Sequence, residues 1–180
     1  MDNQFTVLEN GTPRTFTYEE VLSYHGGEMP GGVALAFRML QWVFNDVLKI
    51  IPEKGQCSFY SGLGENGRGI IDTTTLILGV TAHESLRLDK SYSLDKTGPL
   101  APGGGRYYFE CGYQDTLVQL AVKDGAIPED FFRYSAKMHR KRSAGEPISE
   151  AETAHLQKLR KELSLAILAA EGKDLFLQLS

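Results

Sequence analysis

The chain has 180 residues, 42% of them hydrophobic and 23% charged, which is ordinary for one globular domain. A formal net charge of −4 leaves no global basic footprint for nucleic acid. Two cysteines, Cys57 and Cys111, exclude a disulfide framework or a thiolate zinc knuckle and fit a reducing, cytoplasmic setting. No basic segment followed by an apolar run stands at the N-terminus, so neither a signal peptide nor a membrane anchor is expected.

In chain order, Gln4 to Leu8 and Arg14 to Phe16 flank Asn10-Gly11-Thr12-Pro13, the pattern of a small hairpin. Thr17 with Glu20 has capping-box spacing and predicts a short helix from Tyr18 to about Tyr24 that ends at Gly26. Tyr24 to Gly32 then holds Gly26, Gly27, Gly31, Gly32 and Pro30, which together preclude a regular element. From Val33 to Ile51 only Arg38, Gln41, Asn45, Asp46 and Lys49 are polar, a narrow stripe on an otherwise apolar helix. That predicts a central core helix, stopped by Pro52, with His25 and Glu28 on the glycine-rich loop that delivers its N-terminus. The run is too short and too polar to span a bilayer.

Gln56 to Ser61 is expected to be a strand. Gly62 to Gly69 is a second glycine-rich loop, followed by a helix over Ile70 to Gly79 whose three threonines make tertiary packing its support. Leu86 to Leu94 alternates and predicts a strand. Gly98 to Gly105 is a loop or lid. Arg106 to Cys111 and Thr116 to Val122 predict strands joined around Gly112. A helix starts at Pro128 with Glu129 and Asp130 and ends in His139-Arg140-Lys141-Arg142, a basic run expected to be solvated. Ser149 and Glu152 repeat the capping box at the head of a last long helix with Leu156, Leu159, Leu163, Ile167 and Leu168 on its apolar face. Leu175 to Leu179 alternates as a terminal strand. Helices mixed with consecutive strands predict an α+β fold, a mostly antiparallel sheet packed against helices. One domain is expected over 1–180: a hairpin at 1–17, a core at 18–128 and a C-terminal helical part at 129–180.

The glycine loops carry a family resemblance. His25, Gly26, Pro30 and Gly31 match the His-Gly-His-Leu-Cys-Pro-Gly signature of the FmdE-like family, named after the E chain of formylmethanofuran dehydrogenase, with Gly27 and Met29 at its second His and its Cys. In the second loop and helix, Glu65-Asn66, Asp72, Gly79 and Thr81 sit in the register of that family, while Gly69 and Val80 take its cysteine positions. Ala82-His83-Glu84-Ser85 replaces its Gly-Lys-Gly-Asn run. The chain thus resembles that family in spacing over about its first two-thirds.

The resemblance implies an α+β core, a homodimer, and a small-molecule or metal pocket between the two glycine loops formed by His25, Glu28, Glu65, Asp72 and Thr81. It also implies an accessory role in molybdenum or tungsten formyl-transfer metabolism. The residues themselves leave alternatives open. His25 is either a pocket group or a loop histidine bonded to nearby backbone, and Asp72 is either a pocket carboxylate or a helix N-terminal acid. His25 and His83 with a carboxylate offer nitrogen and oxygen donors for a divalent zinc or iron. A stand-alone metal-dependent enzyme using His25, and an interaction subunit of a larger enzyme complex, are the competing functions. If His25 and Asp72 share a pocket, replacing His25 is expected to abolish binding and to change stability little. The loops match no P-loop or dinucleotide fingerprint, and no nucleophile elbow is present.

Overall fold

The computed structural model describes residues 2–180 and has the expected α+β architecture. Strands β1 (Gln4–Glu9) and β2 (Thr12–Thr17) form a hairpin across the two-residue turn Asn10-Gly11. Both turn residues have positive φ, 52° and 78°, the geometry that an Asn-Gly pair accepts at little cost. Helix α1 (Tyr18–His25) starts where the Thr17 side chain accepts from the Glu20 amide and stops at Gly26, which is left-handed at φ 91°. The Glu20 carboxylate turns to Arg14 rather than closing a full capping box.

Helix α2 (Pro30–Gln41) is the hub. It begins earlier than its composition suggests, because Pro30 at the first turn has a preset φ and loses no amide bond there. Its run from Val33 to Leu40 is wholly buried, packed by α1, by α3 (Arg68–Leu78) and by α5 (Glu150–Ala169). The helix does not continue regularly to Ile51: Trp42–Val47 winds as a wider π-helical turn. The polar stripe is partly buried as well. Arg38 is 2% exposed and donates to the carbonyls of Asp2 and Leu168 and to the side chains of Asn3 and Gln41, pinning both ends of the chain to α2.

The sheet runs β4 (Leu86–Arg87), β3 (Cys57–Ser61), β5 (Tyr108–Tyr113), β6 (Thr116–Val122), β7 (Phe176–Gln178). Only the β3–β4 pair is parallel. Its inner face, with Cys57, Phe59, Phe109, Cys111, Leu120 and Phe176, belongs to the same hydrophobic core as α2. The strand predicted over Leu86 to Leu94 is two residues long. Asp89 caps Ser91 through both its amide and its hydroxyl, and the chain turns into a 3₁₀ segment at Lys90–Ser93. Gly112 lies inside β5 rather than at the turn; a Cβ there would sit 2.2 Å from Ser58 Oγ, a contact that the serine relieves by turning its hydroxyl away. The reversal falls at Gln114-Asp115.

The C-terminal part is built into this core. Helix α4 (Glu129–Ser143) packs on α5, α5 packs along α2, and after the short α6 (Gly172–Leu175) strand β7 completes the sheet. Ser149 and Glu152 form the full reciprocal capping box.

Candidate functional site

The two glycine-rich loops meet where α2 and α3 begin. Gly32 and Gly69 face each other: a Cβ on Gly69 would lie 2.7 Å from the Val33 amide nitrogen, and one on Gly32 would lie 3.3 Å from Gly69 Cα. Glycine at 69 lets the two helix starts touch backbone to backbone, and glycine at 32 keeps that contact unstrained. Neither start carries a side-chain cap on its first-turn amides, so no carboxylate or hydroxyl neutralises the positive ends of the two helices there.

Beside this crossing lies a cavity of about 100 Å³. Its floor is the first turn of each helix, with Leu35, Leu163 and Ile167 as apolar wall. The third glycine-rich stretch, Ala101 to Gly104, borders it, so the flexible loop of the sequence forms one side of the cavity. Gly103 is held there by two donors to its carbonyl, Asn66 Nδ2 at 2.9 Å and Lys90 Nζ at 3.3 Å. Helix α4 contributes Phe131, Ser135 and His139 at intervals of one turn, and α5 contributes Arg160.

The mouth is basic. His139 and Arg160 line it, Lys90 reaches it through Gly103, and Arg142 acts electrostatically on both His139 and Arg160. Burial, reinforced by Arg142, Arg160 and Lys90, holds His139 below the usual histidine range. Burial also lowers Arg160, with Arg142 adding to it and Glu28 opposing it. Among the described residues none of these four groups has a carboxylate within ion-pair distance. Arg160 has only a 3.5 Å contact to the Glu28 carbonyl.

The structure brings His25 and Asp72 together. The ring Nδ1 lies 2.7 Å from Asp72 Oδ2, and Nε2 accepts from the Met29 amide at 3.1 Å. Nδ1 therefore carries the proton and donates to the carboxylate. The ring is 4% exposed and fastens the end of α1, the amide just before α2, and α3 to one another. Asp72 is also approached by Arg68 Nη2 at 3.6 Å. The pair does not line the cavity, which takes the glycine neighbours of the family motif instead. With both ring nitrogens engaged, His25 acts as a clasp between helices, so its replacement bears on stability, contrary to the sequence expectation.

The remaining predicted site residues are dispersed. Glu28 and Glu65 are exposed on the rims of their loops and do not line the cavity. Thr81 lies past the C-terminal end of α3, exposed, and donates to Glu84 at 3.1 Å. His83 is exposed at φ 71° in a groove with Glu84 and Arg87 on the outer side of the sheet. A zinc or iron ion on His25 would have to displace the Asp72 or the Met29 hydrogen bond. Among the described residues no three His, Cys, Asp or Glu side chains gather as a ligand set. Cys57 and Cys111 are buried in the sheet, where burial pushes the Cys57 thiol up to about 12 and Cys111 higher still, so both are inert as thiolates.

The outer groove also contains Glu110, whose Oε2 accepts from Tyr108 at 2.5 Å, Tyr92 at 2.9 Å and Gln119 at 3.3 Å. Through that one oxygen the carboxylate ties Tyr92, Tyr108 and Gln119 together.

His139 and Arg160 were the residues that sequence reasoning missed. A signal existed: Arg160 interrupts the apolar series Leu156, Leu163, Ile167 at a position where the helix period calls for a hydrophobic side chain. His139 stands one turn after Ser135 and opens a basic run read as solvated. The chain matches no protein-family model and no curated protein sequence. No helix among the described residues is long and apolar enough to cross a membrane.

Proposed function

We propose that this chain is a small-molecule-binding domain whose ligand occupies the cavity between the glycine-rich loops. The observation that carries the reading is the convergence of two uncapped helix starts and three glycine-rich loops on one apolar cavity. Glycine at these positions keeps side chains out of the cavity floor, so that a ligand can approach the two helix starts closely. The spacing resemblance to the FmdE-like family supports the same reading, and an accessory, ligand-carrying role within a larger complex is consistent with it. A catalytic role for His25 has no such support, because neither ring nitrogen is free.

The test is occupancy of the cavity by a neutral probe. Saturation-transfer NMR with 1-pentanol should show binding to the parent protein. Ala101→Phe, which fills the cavity from its loop side, should remove the signal while leaving the fold intact by circular dichroism. No saturation transfer to the parent protein at millimolar 1-pentanol would sink the reading.

A further inference from the structure

The charge around the cavity narrows the ligand class, and this step rests on the cavity being a binding site. Two basic groups, His139 and Arg160, line the cavity, Lys90 and Arg142 act on them electrostatically, and none of the four has an ion-pair partner among the described residues. Lys49, Lys123 and Lys161 are also without an ion pair among the described residues, so what sets this group apart is its convergence on a cavity. Like charges placed together next to a low-dielectric cavity repel one another and lose hydration. Two uncapped helix starts, lining the same cavity, add positive potential from the floor. Every one of these terms is relieved by a single negative charge at the mouth.

The wall sets the other half of the ligand. Leu35, Ile70, Phe131, Leu163 and Ile167 offer no charged partner for a second polar end. An engineered cavity of roughly 150 Å³ holds benzene, so the space of about 100 Å³ here suits a body of a few carbons with its head left in the mouth.

We infer that the cavity binds a small organic anion, with a short apolar body among Leu35, Leu163 and Ile167 and an anionic head, carboxylate or phosphate, held by Arg160 and His139 with Lys90 and Arg142 beside them. Binding is coupled to protonation of His139. The charged groups acting on its ring are Arg142 on its own helix, Arg160 on α5 and Lys90 on the 3₁₀ segment, all cationic; Glu28 acts only on Arg160. Each disfavours the imidazolium in the empty site, and an anion beside the ring reverses that bias. Proton uptake on binding follows, so affinity rises as pH falls.

The experiment compares pentanoate, pentylphosphonate and 1-pentanol by titration calorimetry or ligand-detected NMR on the full chain. Pentanoate or pentylphosphonate should bind at least about tenfold more tightly than the alcohol, a ratio that a charge-assisted contact readily supplies. The tighter of the two anions assigns the head group to the carboxylate or the phosphate class. Arg160→Gln should reduce both anions to the level of the alcohol while the alcohol binds as before, which also shows that the variant is folded. Lys90→Gln should weaken the anions by a smaller factor. Pentanoate stays ionised between pH 8 and 5.5, and its affinity should rise several-fold over that range; in His139→Gln that rise should vanish. Equal binding of alcohol and anions overturns the anion assignment and leaves the cavity reading standing. Binding of none of the three overturns both. A pH dependence unchanged in His139→Gln removes the proton coupling.

Discussion

Removal of the His25 ring tests the physical account of the helix junction. In His25→Ala the donor to Asp72 at 2.7 Å and the acceptor of the Met29 amide at 3.1 Å both disappear. The imidazole is 4% exposed, so water reaches the Met29 amide only by opening the junction, whereas Asp72 at 21% recovers part of its hydration. A hydrogen bond to a charged group contributes ~1.5–3 kcal/mol and a neutral one ~1 kcal/mol; with the first taken at its lower end, the loss comes to roughly 2–3 kcal/mol. For a chain of this size each kcal/mol lowers the melting midpoint by about 2–4 °C, which gives a drop of about 5–10 °C. Urea unfolding of the parent, His25→Ala, Asp72→Asn and the double variant closes a cycle. Asp72→Asn retains an oxygen that accepts from the ring, so it should cost less than His25→Ala. In the His25→Ala background it should cost little, leaving a coupling of about 1 kcal/mol. A His25→Ala protein within ~0.5 kcal/mol of the parent, or strictly additive variants, would refute the clasp. Binding of 1-pentanol should survive His25→Ala, because the ring does not line the cavity.

Leu163 is 5% exposed and lies against Gly31, so Leu163→Ala should cost roughly 2–5 kcal/mol by chemical denaturation; an unaltered midpoint would detach α5 from the core. The Lys141 hydrogen bond and the Ser149 amide hold Glu152 down at about 2, below its ordinary 4.5, so this contribution is present above pH 4.5 and is lost as pH falls through about 2. Glu152→Gln should flatten that acid limb of the stability profile, and a profile identical to the parent would discount the pair. Overnight treatment with a strong chelator should leave the melting midpoint unchanged, since the donors present do not form a ligand set; a fall restored by zinc or iron would show a metal contribution to folding. Leu117, Leu177 and Leu179 are exposed together on the outer face of β6 and β7, and sedimentation at micromolar concentration should give about twice the chain mass of 19.9 kDa if that face joins two copies; a monomer at all concentrations would remove the homodimer.

The sequence by itself determined those elements whose signals are local. The Asn10-Gly11 turn, the Thr17 cap, the stop at Gly26 and the Ser149–Glu152 box are each settled by a few neighbouring residues, and all stand where their residue types require. The apolar circumference of α2 likewise determined that it would be a buried hub. The proximity of His25 and Asp72 was an expectation from a resemblance in spacing alone, and its consequence was not legible: one ring nitrogen is taken by a backbone amide, which no side-chain pattern announces. Tertiary structure alone decided the cavity and its charge. Gly32 and Gly69 are far apart in the chain, and only packing two helix starts in contact shows why a side chain at 69 has no room. His139 and Arg160 belong to helices whose basic residues look solvated one helix at a time. Docking α5 on α2 and α4 on α5 turns those side chains toward one mouth, because the apolar stripes that drive the docking run beside them. Periodicity assigns a residue to a face of its own helix, whereas the identity of what that face meets depends on contacts between segments distant in sequence.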